Sequence, residues 1–188
     1  MISRPLNAHA LIGIFASLVM IALSFFAKTG STYRFSFVFL LPMLWGVYAL
    51  RRRLFLRPAH FALIASALLL HNLGVFVFYR RQFSGLQFDT YVHFYFGFCG
   101  AFVAIQVLMH GYHLNGWRLW MAVTLGILGF GAIHELVEWA STLAMGPERG
   151  MLKALADDPY DTQKDLLNNL LGTLLSLTVS SWSQRQRR

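Results

Sequence analysis

Residues 131–144 read GAIHELVEWASTLA, with two glutamates and a histidine inside a run that is otherwise apolar or small. On a soluble helix those carboxylates would simply face water. In a membrane helix each costs on the order of 3 kcal/mol near the bilayer centre, so something must compensate Glu135 and Glu138. The rest of the chain decides which case applies. Of its 188 residues, 56% are apolar and 13% charged, and the mean hydropathy is +0.52. That balance is too apolar for a soluble domain and indicates an integral membrane protein.

Working outward, charges divide the chain into uncharged runs at 5–27, 35–50, 58–79, 90–117, 119–134 and 166–184. A membrane-spanning helix needs about 20 apolar residues, and lipid offers the backbone no hydrogen-bond partners. The runs therefore predict one all-α domain, a six-helix transmembrane bundle with spans near 6–27, 34–50, 59–79, 89–110, 118–144 and 160–183. The second run is short and contains Pro42, with Arg34 and Arg51 placed to snorkel from its ends. The first run is too long for a signal-peptide core and is read as a retained span. Cys99 is the single cysteine, so no internal disulfide forms.

The net charge of +8 does not read as a nucleic-acid footprint, because the arginines occur as short flanks between apolar runs. If both termini are cytoplasmic, inner segments carry nine basic residues against seven outside, which is a positive-inside bias. The eight acids are more informative, since all lie between Asp89 and Asp165 and all fall on the outer side of this topology. The functional groups are therefore expected in one outward-facing layer of the membrane.

Three stripes supply those groups. In DTYVHFYFGFCG, residues 89–100, Asp89 and His93 are four apart, and Gly97 and Gly100 continue the face for close helix approach. A structural alternative is that Asp89 caps the helix and His93 bonds a neighbouring backbone. On the fifth helix, His134, Glu135 and Glu138 fall within an arc of about 100°. A divalent cation, protonation, or salt bridges to Arg80 and Arg81 would neutralise them. Entering the sixth helix, Asp158 suits the N-cap, Pro159 the first turn and Asp161 the third position near the positive helix end. Asp165, Asn169, Gly172 and Ser176 then extend a polar stripe into the span. Convergence of these stripes predicts a cavity lined by Asp89, Asn169, Arg80 and Arg81. Glu135, Glu138, Asp161 and Asp165 are the expected ligands of Mg²⁺, Mn²⁺ or Zn²⁺, with His93 and His134 as acid or base. His71 reads as a core histidine, and His9, His60, His110 and His113 lie near membrane ends.

The stretches FDTYVHFYFGF, HELVEW and DPYDTQKDLLNNLLG resemble the YjdF-type bacterial inner-membrane proteins within the broader VanZ-like group. The resemblance covers residues from about 80 to 180. It implies an Asp–His pair at Asp89 and His93, a Glu segment at Glu135 and Glu138, and a D-x-x-x-D-x-x-x-N-x-x-G pattern at Asp161, Asp165, Asn169 and Gly172. Glu138 departs from the Glu-Leu-x-Gln pattern of the VanZ type and adds a negative charge, which favours a cation and argues against carrying over glycopeptide resistance. Three function classes follow. The first is a metal-dependent hydrolase or transferase acting on a lipid phosphate or a lipid-linked small molecule. The second is a lipid- or partner-binding protein whose buried charges are structural. The third is an ion or proton path, for which the polar residues below Ser176 are too few. Neither the SGH signature of lipid phosphatases nor the Gly and Ala-Arg pattern of CDP-alcohol phosphotransferases is present.

Overall fold

Asn7 opens the first described helix by accepting the Ala10 N–H on its side-chain oxygen at 2.9 Å, which satisfies one of the donors a helix start leaves exposed. The computed structural model describes residues 7–26, 36–76, 78, 81–146 and 160–185. Six helices result: α1 (Ala8–Phe26), α2 (Phe37–Leu50), α3 (Pro58–Asn72), α4 (Phe88–Gly111), α5 (Gly116–Met145) and α6 (Asp161–Arg185). Pro58 opens α3 at a position where its missing N–H costs nothing, and the His60 ring accepts the Arg57 N–H at 3.2 Å.

The charge-free run that suggested a span to residue 79 is α-helical only to Asn72. A 3₁₀ turn follows at Leu73–Phe76. A two-residue hairpin, β1 (Gln82–Phe83) with β2 (Leu86–Gln87), then leads into α4. Its turn residues Ser84 and Gly85 both have positive φ (51° and 82°), as a tight two-residue hairpin requires. Apart from this hairpin, the described elements are helical, so the chain is an all-α membrane protein with six helices.

Three helices, α1, α4 and α5, are long and apolar enough to cross a membrane on length and composition alone. The 30 residues of α5 amount to about 45 Å at 1.5 Å per residue, against a hydrocarbon core of about 30 Å. Its outward residues Leu125, Phe130, Ile133, Leu136 and Val137 are exposed, as lipid contact demands.

Packing divides the helices into two groups. Ala16, Leu44, Phe61 and Ala65 form the core of α1, α2 and α3. Ala101, Ile105, Leu119, Val123, Ile127 and Leu177 form that of α4, α5 and α6. Contact between α3 and α4 joins them, and α4 with α6 is the most extensive pairing in the protein. Glycine explains that closeness. A Cβ on Gly97 would collide with the Asn169 carbonyl, and one on Gly172 would collide with the Phe94 carbonyl, so the two backbones touch at reciprocal points. Thr173 reinforces the crossing, donating to the Asn169 carbonyl at 2.7 Å with the Gly97 carbonyl at 3.5 Å.

Candidate functional site

The start of α4, the second half of α5 and the start of α6 lie at one end of this group. Asp89 occupies the first turn of α4, and His93 follows one turn later on the same face. The His93 ring nitrogen Nε2 is 3.5 Å from Asp89 Oδ1, 3.7 Å from Asp165 Oδ2 and 3.9 Å from Glu135 Oε1. One imidazole nitrogen is thus ringed by carboxylates from all three helices. His93, Glu135 and Asp165 are buried, and Asp89 is more open, with 18% of its side chain exposed. These separations exceed a good N–H···O bond, for which about 2.9 Å is usual. They are nearer the spacing of atoms that share a cation, since ligands about 2.1 Å from a common metal lie roughly 3 to 3.5 Å apart. Asp89, His93 and Asp165 each offer one ligand atom, and these atoms lie within 4.8 Å of one another.

The supporting contacts come from α6 and α5. Thr162 donates to Glu135 Oε2 at 3.0 Å, which leaves Oε1 directed to His93. Asn169 is 1% exposed, and its side-chain amide lies buried against His93 of α4. A Cβ on Gly131 would come within 2.5 Å of that amide nitrogen, so glycine at 131 is what admits the Asn169 side chain.

Glu138 follows a different course from Glu135. Its Oε1 lies 2.9 Å from His134 Nε2, one turn earlier on α5. The His134 ring stands 5.8 Å from the His71 ring and 5.9 Å from the His93 ring, centroid to centroid. The His134 ring of α5 therefore neighbours imidazoles from both α3 and α4.

Helices, buried polar layer and composition all describe one class of molecule, and the sequence pattern of a family described as predicted membrane proteins (DUF2238) matches residues 8–186. The chain belongs to that family. The Escherichia coli (strain K12) protein named "Inner membrane protein YjdF" is 32% identical to this DUF2238 member over 91 residues. That match covers 48% of this chain and 44% of the relative, so the aligned part is less than half of either protein. No solved structure matches.

The site residues expected in this DUF2238 protein are distributed unevenly. Glu135 and Asp165 approach His93, together with Asp89, which the sequence had placed only among the lining groups. Glu138 turns to His134 instead, and Asp161 sits half-buried at the first residue of α6. The closest three-residue grouping is accordingly Asp89, His93 and Asp165 rather than the four carboxylates Glu135, Glu138, Asp161 and Asp165. Glu135 and Glu138 share an arc on a helical wheel, but they lie about 4.5 Å apart along α5 and meet different neighbours. Arg80, Asp158 and Pro159 lie outside the described residues. Arg81 is exposed, with its guanidinium 5.8 Å over the Phe78 ring. Among the described residues, the ion pairs of these carboxylates run to histidine, which does not support an arginine clamp through Arg81.

His71 and Thr162 were missed as contributors. His71 sits in LLLHNLGV, where nothing local separates a packing histidine from one that meets another helix. Thr162 had a readable signal, being three residues before Asp165 on the same stripe.

Proposed function

We propose that this protein crosses the bacterial inner membrane six times with both termini cytoplasmic, and that its carboxylate–histidine site binds a divalent cation near the outer surface. The name of the Escherichia coli relative supports the membrane assigned. The basic flanks support the orientation, by nine residues to seven. The observation that carries the metal reading is the convergence of Asp89, His93 and Asp165 ligand atoms within 4.8 Å, with Glu135 Oε1 at 3.9 Å from His93 Nε2. Oxygen donors with one imidazole suit Mg²⁺, Mn²⁺ or Zn²⁺. Where these buried carboxylates stay ionised they repel one another, and a bound metal would then also serve the fold.

The chemistry proposed is hydrolysis or transfer at the phosphate of a membrane lipid or lipid-linked envelope precursor. A divalent cation there polarises a phosphoryl oxygen, which an all-acidic site would otherwise repel. Two imidazoles supply the proton carriers: His93 inside the cluster, and His134, whose side chain is 35% exposed, beside it. The D-x-x-x-D-x-x-x-N-x-x-G pattern from Asp161 to Gly172 is the basis for a wider kinship with VanZ-like proteins.

Metal content of the purified protein by elemental mass spectrometry tests the reading, with Asp165→Asn and His93→Gln alongside. Stoichiometric metal in the wild type, lost in both variants, is expected, and lipid phosphates are then screened as substrates. A folded wild type with no metal sinks it. A second reading draws on the glycine crossing of α4 and α6 beside the site. In it the polar cluster locks the helices together and the protein binds a lipid or partner without turnover. Metal-free wild type with both variants unfolded would favour that reading.

A further inference from the structure

The end of the bundle opposite the carboxylates carries the reverse charge. Arg51, Arg52, Arg53 and Arg57 lie in the link between α2 and α3, Arg118 stands near the start of α5, and residues 1–88 and 90–134 contain no acid. The link has a defined structure. The Leu56 N–H donates to the Arg51 carbonyl at 2.9 Å and the Phe55 N–H to that of Arg52 at 3.3 Å, which are the two closures of a Schellman turn. The left-handed position of that turn usually holds glycine, and here it holds Phe55, with φ of 54°. Two other helices fix it in place. His9 Nε2 of α1 donates to the Leu56 carbonyl at 3.0 Å, and Gln106 Nε2 of α4 donates to the Phe55 carbonyl at 3.2 Å. The Phe55 ring also lies against Gly111, where a Cβ would meet it at 3.1 Å. Even so, Phe55 is 46% exposed. An aromatic residue kept in a costly backbone conformation and left open among arginines points to contact with something outside the chain.

Depth narrows what that is. The 14 residues of α2 and 15 of α3 amount to about 21 and 22 Å, against a hydrocarbon core of about 30 Å. Gln106 comes five residues before the end of α4, so the link is anchored about 7.5 Å short of where α4 stops. The arginines are therefore held at the depth of lipid headgroups rather than out in solvent. Helix electrostatics account for Arg51, which turns back on α2, donating to the Tyr48 carbonyl at 2.6 Å with its guanidinium 3.9 Å over the Tyr48 ring. Arg52, Arg53 and Arg57 are exposed. Arg57 occupies the N-cap of α3, and the positive end of that helix disfavours a cation.

We propose that the α2–α3 link binds an anionic phospholipid of the adjacent leaflet, with Arg52, Arg53 and Arg57 on the headgroup phosphate and Phe55 inserted beside the acyl chains. Guanidinium forks match phosphate oxygens, and an aromatic ring suits the membrane interface. A soluble acidic protein would have to descend to headgroup depth to reach the link, and a free anion would leave Phe55 without a role. The proposal shares with the proposed function only the reading of the chain as six spans, and a protein that binds no metal leaves it untouched.

The test is native mass spectrometry of the full-length, detergent-purified protein with dioleoyl phosphatidylglycerol, and separately with dioleoyl phosphatidylcholine at equal concentration. Preferential retention of one phosphatidylglycerol is expected, undiminished by millimolar inorganic phosphate. The triple variant Arg52→Gln/Arg53→Gln/Arg57→Gln should lose about 10- to 100-fold in that preference, while Arg118→Gln keeps it. Phe55→Gly relieves the backbone and should weaken retention about tenfold. Equal retention of the two lipids by the wild type overturns the proposal, as does an unchanged preference in the folded triple variant. Displacement by inorganic phosphate would make the link a free-anion site and overturn the lipid assignment. An equal loss in Arg118→Gln would spread the effect over the whole face and overturn the assignment to the link. Should the triple variant fail to fold, the wild-type preference and Phe55→Gly decide the matter.

Discussion

At one end of the α4–α5–α6 group the helices meet through Ala101, Ile105, Leu119, Val123, Ile127 and Leu177, and at the other through Asp89, His93, Glu135 and Asp165. The same three rods are thus joined by two kinds of contact. At the apolar end any well-filled arrangement gains dispersion contacts, and a lost methyl group costs in proportion to the space it leaves. At the polar end a misplaced helix leaves a charge unpaired inside the protein, which costs far more. Between the two ends lies the glycine crossing of α4 and α6, which belongs to neither regime because it is fixed by backbone contact. The comparison teaches that the apolar end can hold the helices together without specifying their spacing. The polar end specifies spacing but is destabilising unless its charges are balanced.

The largest effect is expected at the crossing. Gly172→Val should yield no monodisperse folded protein on size-exclusion chromatography, because its side chain meets Phe94 and Phe98 backbone atoms. Gly129→Ala, on a stretch of α5 with nothing within 4 Å, should shift stability by less than about 1 kcal/mol. Equal behaviour of the two variants would abolish the special status of the crossing. Next, Leu177→Ala, at a site 1% exposed, should cost about 3 kcal/mol in a detergent unfolding titration while leaving metal content unchanged. A parallel loss of metal would show that the two ends are not separable. The smallest effect sharpens the polar end. Thr162→Val removes the hydroxyl that holds Glu135 Oε2 and should weaken metal binding by about 10- to 100-fold with little change in unfolding.

The helical architecture was legible because charges punctuate the chain and because apolar runs of span length have few alternatives in lipid. The hairpin at 82–87 was not legible, since its strands are two residues long and carry no alternating pattern. Part of the site follows from single-helix geometry. Asp89 and His93 are one turn apart, and Asp165 and Asn169 are one turn apart, so each pair shares a face whatever the tertiary fold. What single-helix geometry does not contain is rotation of one helix against another. That rotation sends Glu135 to His93 but Glu138 to His134, and it brings the His71 ring to His134 from α3. No spacing within one segment encodes those meetings.

The glycine crossing has a mechanical consequence. His93 is four residues from Gly97, and Asp165 is four residues from Asn169, so each group stands about 6 Å along its helix from the point of contact. On so short a lever, a tilt of 10° displaces the group by only about 1 Å, whereas a residue at the far end of α4 or α6 would swing several times further. Bilayers that differ in thickness tilt their helices by such amounts. The carboxylate–histidine cluster is seated near the fulcrum, where the membrane's changing dimensions are least felt.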